Sequence, residues 1–310
     1  TSATIKSFKE LGYNCQVLPP STKESTDLGM KYTNNEICYP SILVIGDIIH
    51  ALKSGKHDPN KTAIGITQTG GQCRASNYLS LIRKALVDAG FENVPVVGLS
   101  TSGIPYNVQP GFEDFDAGKF IKKAFFSITF GDTLSMMYYS TAVREKEKGT
   151  AKALVNKYLK LSEEYVAKED FKNIIRLIKE AVDEFNNVKI NYKEYPKVGI
   201  VGEIFIKYNE YGNHNVLNWL MDNEIEVIMP PLIDFFTQEI FNIRYYKDGY
   251  ITKTNFNYYM SFVFETWVTY NASLVEVTMK NYRFYRESHS IKKLANMASR
   301  VVSLINQYGE

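Results

Sequence analysis

The sequence predicts an α/β fold, with parallel sheets in two lobes that are joined and covered by additional helices. Two observations carry this expectation. Thr62 to Thr67 and Val94 to Leu99 are short, almost wholly apolar segments set beside helical repeats. The same alternation returns at Lys197 to Phe205 and Glu226 to Met229, after a long interval without a strand signal. Strands that are apolar on both faces belong in a parallel sheet covered by helices, whereas a half-solvated antiparallel strand alternates apolar and polar residues.

Taken in order, residues 4–12 read as the end of a helix, with Ile5, Phe8 and Leu11 on one face and Gly12 as its stop. Gln16-Val17-Leu18 reads as a short strand closed by Pro19-Pro20, and a polar loop follows to about Glu36. From Ser41 to Lys53, Leu43, Ile45, Ile48, Ile49 and Leu52 form one broad helical stripe that ends at Gly55. Thr62 to Thr67 is a strand. Ala75 to Ala89 is amphipathic through Leu79, Ile82, Leu86 and Ala89, with Gly90 as its stop, and Val94 to Leu99 is the next strand. Phe115 to about Asn186 carries helical spacing alone, for example Leu154, Tyr158, Leu161, Tyr165 and then Ile174, Ile178, Ala181, Phe185.

Lys197 to Phe205 reads as a strand, Tyr208 to Gly212 as a loop, Asn213 to Asn223 as a helix and Glu226 to Met229 as a strand closed by Pro230-Pro231. Helices follow around Met260 to Trp267 and from Ser290 to Gln307. The chain therefore divides into a first α/β lobe (1–112), a helical connector (113–195) and a second α/β lobe with a helical layer (196–310). No strand signal precedes the first helix or follows the last, and two clear strands are too few for an independent second sheet. The expectation is a fragment with an incomplete second lobe, or a subunit whose sheet is completed elsewhere.

Composition narrows the function classes. The 310 residues are 45% hydrophobic and 23% charged, enough apolar material for two cores of ordinary domain size. A net charge of +2 without a polybasic run argues against nucleic-acid binding. No stretch approaches the ~20 apolar residues of a membrane span, and the first residues lack the basic flank and apolar core of a signal peptide. Three cysteines form no disulfide framework, which suits a reducing, cytoplasmic location. The 22 tyrosines, many of them beyond position 240, read as a packed helical layer with hydroxyls at its rim.

Two cysteines share one local setting. Cys38 stands at the start of an apolar helix, in Asn34-Asn35-Glu36-Ile37-Cys38-Tyr39-Pro40. Cys73 stands in a Gly-rich loop between a strand and the next helix, in Thr67-Gln68-Thr69-Gly70-Gly71-Gln72-Cys73-Arg74. A helix start offers unpaired N–H groups and positive partial charge, the setting in which a sulfur binds iron or zinc or acts as a nucleophile. Ligands of parallel α/β sheets bind beyond the carboxyl ends of the strands, and both cysteines should reach that edge. Gly70 and Gly71 let the backbone turn tightly and approach a bound group. Pro40 fits a first helical turn, where its missing N–H costs nothing.

The competing reading is two buried thiols acting as small hydrophobes, since there is no Cys-x-x-Cys and two sulfurs cannot saturate a cluster or a structural zinc. Cys15, beside a short strand, reads as a core thiol. At the second strand-to-helix corner, Glu203, Lys207, Asn213, His214 and Asn215 form a polar group where a substrate would bind, with Asn213 equally suited to capping the helix. His50, His57 and His289 have no neighbour at ligand spacing, and neither a Walker loop nor a Gly-x-Gly-x-x-Gly or Gly-x-Ser-x-Gly sequence is present.

The stretch from Gly29 to Asp47 (GMKYTNNEICYPSILVIGD), with Thr67 to Tyr78 (TQTGGQCRASNY), Lys197 to Asn209 (KVGIVGEIFIKYN) and Gly212 to Asn215 (GNHN), resembles the 2-hydroxyacyl-CoA dehydratase-related family. Its large bacterial members are often described as CoA-substrate-specific enzyme activases or activase-related proteins. The resemblance covers nearly the whole chain. It implies two flavodoxin-like, Rossmann-like α/β lobes with extra helices, and an iron–sulfur cluster of the 4Fe–4S kind held by Cys thiolates in a cleft. Cys38 and Cys73 would be its first-lobe ligands. It also implies a partner, an ATP-hydrolysing activator of actin/sugar-kinase fold that delivers a low-potential electron for radical chemistry on an acyl-CoA thioester.

Larger members continue into a further Cys-containing segment near a Pro-Phe-Gly-Cys sequence, which this chain lacks along with the activator domain. The resemblance therefore implies an incomplete cluster site and a piece inactive by itself. The expected function is a cluster-bearing, dehydratase-like redox component, with homodimerisation allowed. The alternatives are a metal-free CoA- or small-molecule-binding module, through Gly70, Gly71, Glu203, Lys207, Asn213 and Asn215, and a scaffold that docks an activator through residues 240–310.

Overall fold

The computed structural model describes residues 12, 14–34, 36–68, 74–100, 117–287 and 290–304. It is a mixed α/β protein with two small parallel sheets. In chain order the elements are α1 (Lys23–Tyr32), α2 (Tyr39–Lys53), β1 (Ile64–Gln68), α3 (Tyr78–Asp88), β2 (Val96–Ser100), α4 (Ala117–Ala142), α5 (Thr150–Ala167), α6 (Phe171–Asn187), β3 (Lys197–Gly199), α7 (Ile204–Tyr208), α8 (Val216–Asp222), β4 (Glu226–Ile228), α9 (Leu232–Asp248), α10 (Phe256–Met279) and α11 (Ile291–Ala298). Contacts gather the described residues into two compact units. Gln16–Ile121 groups with Gly202–Val216, and Lys122–Val201 groups with 217–304.

In the first unit β1 and β2 run parallel, with Ile64 opposite Val96 and Gln68 opposite Ser100. Helix α2 is mostly apolar, and its stability comes from what it buries rather than from propensity. Ile45, Ile48, Ile49 and Leu52 pack with Leu79, Ile82, Ala85 and Leu86 of α3 and with Val94 and Val96. Burial of each large side chain of this kind is worth roughly 1.5–3 kcal/mol. The Arg83 guanidinium donates to the Val96 carbonyl at 3.4 Å and ties α3 to β2.

Helix α1 crosses α2 backbone to backbone. A methyl group at Gly29 would overlap the Ile42 carbonyl, and one at Gly46 would overlap the Ser25 carbonyl. The sequence reading treats 19–36 as loop, whereas α1 occupies its centre. Its start is a capping box, in which Ser25 N–H donates to Thr22 Oγ1 and Thr22 N–H donates to Ser25 Oγ. Residues 16–18 form no strand: Val17 is 54% exposed, and the Pro19-Pro20 pair that follows has no N–H to give a ladder. The helix expected at 4–12 lies almost wholly outside the described residues.

In the second unit α5 and α6 pair, and α10 packs on α6 and α9. Helix α6 buries Ile174, Leu177, Ile178, Ala181, Val182 and Phe185 along one stripe. The end of α4 is a buried polar junction. The Glu226 carboxylate, fully buried on β4, accepts from Arg144 at 2.6 Å and from Arg286. The Arg144 guanidinium lies 5.0 Å from the Tyr195 ring and 4.5 Å from the Phe284 ring, and it donates to the Ser140 carbonyl. Tyr282 hydroxyl lies 2.9 Å from Ser140 Oγ and 2.7 Å from Thr141 Oγ1, and it donates to the Met137 carbonyl. Burial pushes this phenol above its usual range, against those hydrogen bonds.

The strand expected at 197–205 is confined to 197–199, because Glu203 starts a helix by accepting the Ile206 N–H at 2.8 Å. The chain then spends 202–216 in the first unit and returns with α8. Helix α9 begins after Pro231, which has no side-chain acceptor to cap it. Asp132 of α4 takes that role, accepting from Ile233 N–H at 2.9 Å. Burial pushes its carboxyl up to about 7, opposed by the Ile233 and Leu232 N–H groups and reinforced by Asp234.

Gly46→Ala should destabilise the protein by about 3 kcal/mol or more, because the Ser25 carbonyl is backbone and cannot yield without separating the helices. Urea unfolding measures that loss directly. Asp132 has a folded value above its ordinary 3.8, so the folded state binds the extra proton. Stability should fall as pH rises from about 4 to about 7. Asp132→Asn keeps an oxygen for the Ile233 N–H but cannot ionise. It should match the wild type near pH 4 and exceed it at pH 8 by up to about 4 kcal/mol. Parallel pH–stability profiles for the two proteins would contradict the assignment.

Candidate functional site

Cys38 is the N-cap of α2, with φ −66° and ψ 148°, and its side chain makes no capping hydrogen bond. The backbone does the local work: Ser41 N–H donates to the Cys38 carbonyl at 3.0 Å and Ile37 N–H donates to the Asn34 carbonyl at 3.1 Å. Pro40 sits in the first turn, where no intrahelical N–H is required. The thiol is half-buried, and its Sγ lies 3.4 Å from the Tyr78 hydroxyl.

Tyr78 is the first residue of α3. It follows the short 3-10 turn Arg74–Asn77, which comes after β1 in the chain. Cys38 thus lies beside the first residue of α3, the helix that comes after β1 in the chain. Cys73 lies five residues before Tyr78 in the sequence. Cys73, Gly70 and Gly71 themselves lie outside the described residues. Among the described residues no three His, Cys, Asp or Glu side chains group closely enough to hold a metal ion. Cys15 is half-buried.

The segment 203–215 is fastened to the same unit, and most of its polar groups are engaged in that. Glu203 caps α7. The Asn213 amide donates to the Ile206 carbonyl at 3.1 Å and the Lys207 carbonyl at 3.0 Å, so it closes the end of α7 rather than the start of α8. His214 and Asn215 both adopt left-handed backbone, φ 55° and 56°, at an exposed turn that Asn tolerates better than most residues. Lys207, in the last turn of α7, is half-buried.

A polar relay that periodicity does not reveal anchors this segment. Gly212 N–H donates to Asn209 Oδ1 at 2.7 Å, Asn209 Nδ2 donates to Ser21 Oγ at 2.9 Å, and Ser21 Oγ donates to Asp47 Oδ2 at 2.7 Å. Thr26 hydroxyl donates to Tyr211 hydroxyl at 3.1 Å. Burial raises the Asp47 carboxyl, opposed by hydrogen bonds from Ser25 and Ser21 and by the charge of His50. The sequence carries one hint of the relay, an Asn three residues before a Gly at 209–212, a pair that suits a turn closed by the Asn side chain. The rest depends on a long-range contact.

No family model, curated protein or solved structure matches this chain.

Asn209→Ala should cost about 1–3 kcal/mol, because it strands the Gly212 N–H and removes the donor to Ser21. A loss under about 0.5 kcal/mol in chemical denaturation would show that the relay does not anchor the segment.

Proposed function

We propose that this chain is a dehydratase-like redox component whose Cys38 and Cys73 are thiolate ligands of an iron–sulfur cluster, within flavodoxin-like α/β lobes. The observation that supports the reading is the site of Cys38, a half-buried helix N-cap whose sulfur is not used for capping. It lies beside Tyr78, at the start of the helix that follows the Cys73 loop. A structural thiol has no need of that position, and a ligand sulfur at the carboxyl edge of a parallel sheet does. Resemblance of the two Cys-containing stretches supplies the rest of the reading.

When bound, a cluster stores and passes single electrons. The chain's own residues would place its sulfurs and limit water access. The Tyr78 hydroxyl, 3.4 Å from Cys38 Sγ, is positioned to hydrogen-bond a ligand sulfur. Two thiolates leave cluster positions for ligands from elsewhere. The electron donor is an ATP-hydrolysing activator of actin/sugar-kinase fold, and the substrate is an acyl-CoA. Among residues 203–215, Lys207 has the charge to meet CoA phosphates, while Glu203 and Asn213 are taken up by capping. A reducing cytoplasm suits such a centre. Among the described residues no helix is long and apolar enough to cross a membrane.

Anaerobic reconstitution with iron and sulfide tests the proposal. Wild type and Cys15→Ser should take up iron with the broad visible absorption of thiolate-bound iron, and Cys38→Ser and Cys73→Ser should each lose most of both. Equal iron content in wild type and in both ligand variants would overturn it.

A further inference from the structure

The outward face of α10 is largely apolar, with the Glu276–Lys280 ion pair at its C-terminal flank. Phe256, Tyr259, Val263, Tyr270 and Val277 are 75%, 64%, 61%, 63% and 64% exposed. With the small Thr266 and Ser273 between them, these positions alternate by three and four residues, the heptad spacing along which one helix packs beside another. The other face of α10 already has its partners. Ser261, Asn271, Val275 and Met279 are buried, and Glu265 pairs with Arg244 at 2.6 Å and with Lys292 at 3.6 Å. With the inner face already packed, a second and apolar face is one that a partner covers.

We propose that this stripe is the interface of a two-fold homodimer, with α10 of one copy lying along α10 of a second. Area supports a dimer: wholly exposed aromatic side chains present 150–250 Å² each, so the stripe with its flanking Met260 and Phe262 offers roughly 800 Å², about one side of a standard stable interface. Charge selects the occupant. No Lys or Arg occurs from Thr254 through Met279, so the face lacks the basic residues that hold an interfacial helix on anionic lipid. A strongly charged protein would find no counter-charge on the stripe. An uncharged heptad stripe fits another of the same kind, and two-fold symmetry supplies one from a second copy.

Sedimentation velocity on the full chain tests the proposal. At on the order of 10 µM, wild type should sediment at twice the 35.5 kDa of one chain. Val263→Glu combined with Tyr270→Glu should halve that mass while leaving the far-UV helical signal unchanged, because both side chains are exposed within one copy. Val87→Glu, an exposed apolar position on α3, should leave the dimer intact. Wild type that stays monomeric at on the order of 100 µM, or a dimer indifferent to the double substitution, would overturn it. So would a monomer whose binding to phosphatidylcholine–phosphatidylglycerol vesicles is lost in the double variant, which would make the stripe a membrane face.

Discussion

The backbones of α1 and α2 touch at Gly29 and Gly46, and the first unit is organised around that contact. Two helices this close can neither slide nor rotate without driving a carbonyl into a Cα. Helix α2 is held on its other side by Ile45, Ile48, Ile49 and Leu52 in the core it shares with α3 and the strands. With both faces committed, its N-terminus has one position, and the N-cap residue is Cys38. The glycine contact therefore governs where the sulfur sits: Gly29 packs on Ile42, whose N–H donates to the Cys38 carbonyl at 3.3 Å. The Asn209–Ser21–Asp47 relay attaches residues 202–216 to the same helix pair.

The second unit solves a different problem. Among the described residues its sheet has two short strands, and its cohesion comes from helices and from a buried polar junction. Glu226 pairs with both Arg144 and Arg286, and the Arg144 guanidinium lies over two aromatic rings. A buried ion pair costs desolvation that its attraction barely repays, so its value lies less in stability than in admitting one arrangement of the groups around it. Here those groups are the end of α4, β4 and the turn after α10, which the carboxylate holds in register. Asp132 does similar work at α9, where a proline start leaves helix N–H groups for a neighbouring helix to satisfy.

What the sequence made legible follows physical lines. Apolar periodicity located α2, α3 and α6, each of which buries a continuous stripe, and apolar runs located the strands β1, β2 and β4, although β1 leaves Gly65 and Thr67 exposed. Helix α1 escaped because its identity lies in a capping box and in glycines that serve packing, not in an apolar stripe. The strand expected at 16–18 fails on the two prolines beside it, and the one expected at 197–205 is cut short because Glu203 caps a helix inside an apolar run. Asn213 was legible as a cap, yet it closes the helix before it rather than the one after. Cys38 was legible as a helix-start sulfur. Its neighbour Tyr78, forty residues away, was not, because nothing local announces a contact of that range.

The central proposal is that the sulfurs of Cys38 and Cys73 serve one cluster and so come within reach of each other. Thiol–thiol crosslinking of the metal-free, reduced chain with dibromobimane, followed by peptide mapping, tests it most directly. The account predicts a bridged peptide joining residues 38 and 73, formed stoichiometrically in wild type and unaffected by Cys15→Ser. Single-site adducts alone, or a bridge from Cys15 to either of the others, would contradict it.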